Sequence, residues 1–146
     1  MALISPADQE RLRESFAAIG RPVRLLFFTQ TLECETCLQT RQVLDELPPL
    51  SDKITIEELN FVLDGDRARE YGIDRVPAIV IAYEETGSTK DSRIRFLGTP
   101  AGYDFLSLVQ AILLVGGRES ILSAKNRARV KSVDQPTTIQ VFTTPS

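Results

Sequence analysis

Two cysteines separated by two residues are the part of this sequence best suited to chemistry. Cys34 and Cys37 are its only cysteines. They follow an apolar stretch at 23–29 and lie at the start of a predicted helix at 34–47. This spacing allows two thiols to close a small disulfide, and a thiol at a helix N-terminus is stabilised as a thiolate by the free N–H groups and the helix dipole. The thiolate is the species that attacks another disulfide. We therefore predict that Cys34 is the nucleophile and Cys37 the resolving thiol.

Other interpretations of the cysteine pair stay open. The two residues could be small members of a core. A structural zinc site normally takes four Cys or His ligands, and this chain has two cysteines and no histidine. A zinc or iron–sulfur centre would need a dimer or further ligands, so we expect no metal. The sequence also lacks a nucleotide-binding signature, and we expect no cofactor of its own.

Acidic residues flank the predicted nucleophile. Glu33 and Glu35 lie on either side of Cys34, and a nearby carboxylate disfavours a second negative charge. Glu35 is therefore expected to raise the pKa of the Cys34 thiol and to make the couple more reducing than that of strongly oxidising relatives. The alternative is that both glutamates only point to solvent.

Composition excludes several classes of partner. The formal net charge is −3, which disfavours nucleic-acid binding, and the basic residues at 125–131 are typical of a solvated helix face. No apolar segment approaches the roughly 20 residues that span a bilayer. The N-terminus has no secretory pattern, so we expect a cytoplasmic protein that binds neither nucleic acid nor membrane.

The rest of the chain alternates helical and strand patterns. We predict helices at 5–20, 34–47, 64–71 and 103–115, strands at 23–29, 54–61, 75–83 and 93–97, and a hairpin loop at 84–92. Strands separated by helices pair in parallel, whereas the last two strands are too close in sequence for a crossover and must be antiparallel. The expected fold class is α/β, with a mixed central sheet covered by helices.

This order of elements around the cysteine motif resembles the thioredoxin/glutaredoxin superfamily over residues 23–115. The segments RVPAIVI (75–81) and FLGTPAGY (96–103), with the extra N-terminal helix, are similar to the N-terminal unit of the two-unit, glutaredoxin-like protein disulfide oxidoreductases of thermophiles. The resemblance implies a thioredoxin fold with helices on both faces of the sheet.

The resemblance also implies a substrate-binding groove. In that family the proline at Pro77 is cis, lies beside the cysteines and, with Val76, offers backbone to an extended substrate segment. Gly98 would line the same groove, and the dipeptide Glu35-Thr36 between the cysteines is expected to contact the substrate. Two positions depart from thioredoxins, which have tryptophan where this chain has Glu33 and a buried aspartate where it has Phe28.

The C-terminal part indicates a second unit. We predict a thioredoxin-fold unit at 1–117, a helix and linker at 118–136, and the first strand of a second, truncated unit at 137–146. The last six residues, VFTTPS, resemble the start of such a unit, and Phe142-Thr143 would repeat Phe28-Thr29. The alternative is an ordinary C-terminal strand.

The predicted function is thiol–disulfide exchange with protein disulfides as substrates. The resemblance implies that a thioredoxin-reductase-type flavoprotein restores the dithiol. A glutathione-dependent glutaredoxin is one alternative, with glutathione as the electron donor. A redox-inert interaction module that keeps the fold is the other.

Overall fold

The computed structural model describes residues 3–144. Its helices and strands are α1 (Pro6–Phe16), β1 (Val23–Thr29), α2 (Cys37–Asp45), β2 (Ile54–Asn60), α3 (Gly65–Glu70), β3 (Ala78–Glu85), β4 (Ser88–Leu97), α4 (Tyr103–Val115) and α5 (Ala124–Lys131). The four strands form one sheet with the order β2-β1-β3-β4. Strand β1 is parallel to β2 and antiparallel to β3, which is in turn antiparallel to β4. This mixed sheet confirms the predicted α/β class.

Strand β1 is buried on both faces because helices cover both sides of the sheet. Its side chains alternate between two cores, since successive residues of a strand point to opposite faces. Val23, Leu25 and Phe27 face the larger core, which α1, α2 and α4 also line. Leu26 and Phe28 face the smaller core, where α3 contributes Ala68. The predicted helices on both faces are confirmed.

The extra N-terminal helix α1 is joined to the end of α4. Ser5 caps α1, and its hydroxyl oxygen accepts a hydrogen bond from the Asp8 amide at 3.2 Å. Phe16 of α1 is buried in the larger core. After the helix, the Gly20 amide donates to the Gly116 carbonyl at 2.8 Å. The helix therefore forms part of the main core.

The hairpin after β3 is tighter than the sequence predicted. We expected a loop at 84–92, but β3 runs to Glu85 and β4 starts at Ser88, so the expected loop is wrong. Thr86 and Gly87 form the turn, both with positive φ (48° and 80°), as two-residue hairpins require. The start of β4 is polar because it lies at the edge of the sheet and is exposed, and such a strand has the composition of a loop.

The C-terminal stretch does not form the expected strand. Helix α5 is present within 118–136 but buries none of its residues. Residues 137–144 are exposed and take no strand conformation, and positions 145 and 146 lie outside the described residues. A strand needs a partner to satisfy its backbone hydrogen bonds, and the described part of this sheet pairs with none of them. The division into units stays a prediction.

Within residues 3–144, no helix is both long enough and apolar enough to cross a membrane.

Candidate active site

Three loops lie close together at one end of the strands of the sheet. Strand β1 ends at Thr29, next to Asn60 of β2, and Phe28 is opposite Ala78 at the start of β3. Ala78 is in turn opposite Leu97, the last residue of β4. This end of the sheet therefore carries three segments: the cysteine loop after β1, Val76-Pro77 before β3 and Gly98-Thr99 after β4.

Cys34 and Cys37 form a disulfide, with their Cα atoms 5.5 Å apart. Cys37 is the first residue of α2 and only 4% exposed, whereas Cys34 is partly exposed. The helix starts later than the sequence predicted, because Glu35 and Thr36 form a turn that brings Cys34 back over the helix end. The more accessible of the two cysteine residues is thus the one predicted to attack.

The N-terminus of α2 is open toward this disulfide. Thr36 is the N-cap residue but makes no side-chain capping hydrogen bond, and the first turn contains no acidic residue. The first amides of a helix have no intrahelical acceptor. They are available to stabilise a negative charge at the cysteines. Glu33 and Glu35 are both exposed, so their carboxylates oppose that charge only through solvent.

The Val76–Pro77 peptide bond is cis, as the resemblance implied. Pro77 is buried and Val76 is half-buried. The Pro77 carbonyl accepts a hydrogen bond of 2.9 Å from the Gly98 amide. Gly98 has φ +94°, and a side chain built there would meet nothing within 4 Å. The structure therefore places Gly98 directly beside the cis-proline and facing open space.

Exposed apolar side chains surround the same end of the sheet. They belong to the loops or strand ends that meet there, and we call them the apolar rim: Leu32 (79% exposed), Val62 (70%), Leu63 (84%) and Leu97 (53%). The turn that carries Val62 and Leu63 is fixed, since both amides donate to the Asn60 side-chain oxygen at 2.9 Å. Leu38, in the first turn of α2, is also exposed (68%).

Two residues of the site were missed by the sequence analysis. Thr40 is fully buried, and its hydroxyl donates to the Thr36 carbonyl at 2.8 Å. The Thr40 and Thr99 hydroxyls are 2.8 Å apart. One signal pointed to Thr40, because it is one turn after Cys37 and one turn before Leu44, on the buried face of α2. Nothing local could indicate Thr99 as its partner.

The site has no buried acid close to the cysteines. Phe28, at the position of the thioredoxin aspartate, is fully buried and contacts the Tyr71 ring at a centroid distance of 6.3 Å. Thr40 is the one polar side chain classed as buried in residues 3–144. The same residues include no group of three or more Cys, Asp or Glu side chains placed to hold a metal ion. The Cys34–Cys37 pair can carry out dithiol–disulfide exchange.

The cation nearest in sequence to the cis-proline is already paired. Arg75 contacts Asp74 through two hydrogen bonds of 2.9 and 3.2 Å. The Arg75 guanidinium holds the pKa of Asp74 below its usual range, and Asp74 in turn raises the pKa of Arg75. Both side chains of this pair are exposed.

No family model matches the chain, but curated relatives do. A probable thioredoxin from Methanothermobacter thermautotrophicus is 33% identical over 69 residues, which are 47% of this chain and 71% of that protein. A protein named NADH dehydrogenase from Bacillus subtilis is 32% identical over 101 residues, which are 69% of this chain but 17% of that protein. The chain thus spans under a fifth of the Bacillus relative.

Two solved structures are also similar to this chain over most of its length. The N-terminal domain of alkylhydroperoxide reductase AhpF from Enterococcus faecalis superposes with a TM-score of 0.76 at 28% identity, over 87% of this chain and 59% of that chain. A protein disulfide oxidoreductase from Aeropyrum pernix superposes with a TM-score of 0.71 at 26% identity, over 88% and 54%. This chain spans little more than half of each structure.

Proposed function

Because the chain belongs to the thioredoxin family, with its two cysteines paired at the start of a helix, we propose that it is a thiol–disulfide oxidoreductase unit that acts on protein disulfides. The observation that carries this proposal is the Cys34–Cys37 disulfide, in which one cysteine residue is partly exposed and the other is buried. Attack and resolution need this asymmetry, because only the outer sulfur has to reach the substrate.

The proposed reaction transfers two electrons from the dithiol to the substrate. The Cys34 thiolate attacks one sulfur of a substrate disulfide, that S–S bond breaks, and the leaving thiolate takes a proton from solvent. Cys37 then loses its proton and attacks the Cys34 sulfur of the mixed disulfide. The second substrate thiolate leaves, and the Cys34–Cys37 disulfide is formed. Amides at the N-terminus of α2 stabilise the attacking thiolate.

Substrate docking is proposed at the cis-proline. Strand pairing of β3 begins at Ala78, so the backbone of Val76 lies outside the ladder and is available to an extended segment. Gly98 leaves room for that segment, and the turn Glu35-Thr36 borders it on the other side. The apolar rim adds an exposed surface of the kind that binds unfolded or partly unfolded protein.

The proposed electron donor is a thioredoxin-reductase-type flavoprotein rather than glutathione. The similarity to a protein named NADH dehydrogenase from Bacillus subtilis favours a donor that takes its electrons from a nicotinamide nucleotide. We further propose residues 1–117 as the exchange unit and 118–136 as helix and linker, in a compartment that keeps thiols reduced, such as the cytoplasm.

Insulin reduction tests the proposal. The purified chain is incubated with insulin and one of three donors: dithiothreitol, NADPH with thioredoxin reductase, or glutathione with glutathione reductase. We expect turnover with dithiothreitol and with the flavoprotein, and little with glutathione. Turnover with glutathione alone would replace the donor by the glutaredoxin alternative. A chain that stays folded and reduces no insulin with any donor would be the redox-inert module.

Trapping assigns the two sulfurs. Cys37→Ser should accumulate a mixed disulfide with insulin on non-reducing gels, because the resolving thiol is missing. Cys34→Ser is the matched control and should accumulate none, since the remaining thiol is buried. Equal trapping by both variants would contradict the assignment of Cys34 as nucleophile.

A further inference from the structure

Two threonine hydroxyls from distant parts of the chain converge on one carbonyl inside the cysteine motif. The Thr36 carbonyl accepts from the Thr40 amide at 2.9 Å and from the Thr40 hydroxyl at 2.8 Å. The Thr99 hydroxyl lies 2.8 Å from the Thr40 hydroxyl and 3.4 Å from the same carbonyl. We call Thr40 and Thr99 the hydroxyl pair.

The distances indicate which acceptor each of the two hydroxyl protons is donated to. Each hydroxyl has one proton to donate. Both 2.8 Å contacts are satisfied when Thr99 donates to Thr40 and Thr40 donates to the Thr36 carbonyl. A threonine that bonds the carbonyl four residues before it is common in helices. The contribution of Thr99 is not local, because it comes from the loop after β4, 59 residues away from Thr40.

The carbonyl in question controls the orientation of the Cys37 amide. A trans peptide is planar, so fixing the Thr36 oxygen fixes the N–H of Cys37 on the opposite side. Cys37 is the first residue of α2, and an amide at that position has no acceptor within the helix. Hydrogen bonds in series polarise one another, so donors at the carbonyl strengthen the N–H as a donor.

The loop that supplies Thr99 is itself anchored at the proposed groove. The neighbouring Gly98 amide is bonded to the Pro77 carbonyl at 2.9 Å, and the Thr99 carbonyl accepts from Ala101 at 3.0 Å. Thr99 is therefore held on both sides. Its hydroxyl presents a fixed donor to the cysteine helix, which a mobile surface threonine could not do.

We infer that Thr99, acting through Thr40, is a positioning residue that holds the Thr36–Cys37 peptide in place when the cysteines are reduced, and so favours the dithiol form. The hydroxyl pair is formed while the cysteines are disulfide-bonded, and its preference for the dithiol comes from charge. Only the dithiol form can carry a thiolate, which the N-terminal amides of α2 stabilise, whereas the disulfide is neutral. A Cys37 N–H that is held in place and polarised therefore contributes more to the dithiol form. An interaction shifts an equilibrium only by its difference between the two states. This inference rests on the proposed function, since it concerns the same cysteine couple.

The test measures the redox equilibrium of the full chain in glutathione buffers, in which the oxidised protein and two glutathione molecules give the dithiol and one glutathione disulfide. The hydroxyl of Thr99 is removed in Thr99→Val and kept in Thr99→Ser. Exposed Thr55 of β2 provides the matched control, Thr55→Val. Thermal unfolding of each oxidised variant checks that it is folded.

We expect Thr99→Val to favour the disulfide about threefold, which is about 14 mV toward more reducing potentials at 29.6 mV per tenfold change. Thr99→Ser and Thr55→Val should match the parent chain. Thr40→Val should shift the equilibrium at least as far as Thr99→Val. Adding Thr99→Val to it should have little further effect, because the two hydroxyls act in series.

The inference is overturned if folded Thr99→Val has the parent potential, or if Thr99→Ser shifts it as much as Thr99→Val. Additive effects of the two valine variants would also contradict it. The measurement is independent of turnover. A parent chain that reduces no insulin but shows these shifts would disprove the proposed function alone, whereas an active chain without them would disprove only the role of Thr99.

Discussion

Gly98→Ala tests substrate docking, and a second glycine with positive φ, away from the cysteines, provides a control for the loss of stability. Gly98 and Gly72 both have positive φ, +94° and +68°, and at each a Cβ would meet nothing within 4 Å. Gly98 is bonded to the cis-proline segment, whereas Gly72 follows α3 on the other face of the sheet. The two alanine variants therefore differ mainly in what an incoming substrate meets.

Both variants should lose stability, and Gly98→Ala should lose at least as much as Gly72→Ala, because its φ lies further from the left-handed region that L-residues adopt. An L-residue with left-handed backbone costs about 1–2 kcal/mol relative to glycine. With an unfolding entropy of roughly 2.1 cal/mol/K per residue, this lowers the melting temperature by about 3–6 °C. Differential scanning fluorimetry of both oxidised variants measures this term.

The effect on activity should differ. A methyl group on Gly98 projects into the open space where we propose that the substrate backbone lies, so kcat/KM for insulin should fall about tenfold, within the range that one methyl group gives in a binding site. Reduction of hydroxyethyl disulfide, which needs no docked segment, should change less than twofold. Gly72→Ala should leave both activities at the parent level.

An equal loss of activity on insulin and on hydroxyethyl disulfide would refute this reasoning, because it would place the defect at the cysteines and not in docking. An unchanged kcat/KM for insulin would also refute this reasoning, because the substrate-binding groove would then not pass Gly98.

Three further predictions follow from single side chains. Glu35→Gln should move the couple about two- to threefold toward the dithiol in glutathione buffers, because an exposed charge contributes about 0.2–1 kcal/mol. Asp91, whose pKa the hydrogen-bonded Arg95 guanidinium lowers, should stabilise the fold above its ordinary pKa of 3.8 and lose that contribution as the pH falls through the lowered value. Urea unfolding should therefore separate Asp91→Asn from the parent at pH 7, and the difference should shrink as the pH falls below 3.8. Gly116→Ala should cost about 1–3 kcal/mol in the same assay, because its Cβ would lie 2.9 Å from Ile19.

The sequence was sufficient for the features that depend on local pattern. The order of elements, the antiparallel hairpin and the disulfide between Cys34 and Cys37 all follow from period, spacing and turn residues. The start of β4 did not follow, since an exposed edge strand needs polar residues on its free side and so has a loop-like composition. A bulge makes this part still less regular, because Ser92 and Arg93 are inserted between the residues that pair with Ile81 and Ala82.

The residues of the site also fall into those that local sequence predicts and those that depend on tertiary contacts. Cys34 and Cys37 belong to one short segment, and their chemistry is fixed by their spacing. Thr99 acquires its role only when β3 and β4 bring its loop against α2, and Thr40 has an ordinary local bond that would exist without it. A hydroxyl that tunes a redox couple from 59 residues away leaves no periodic or compositional trace. Sequence patterns therefore identify the reacting atoms of such a site, whereas the groups that set their equilibrium depend on tertiary contacts.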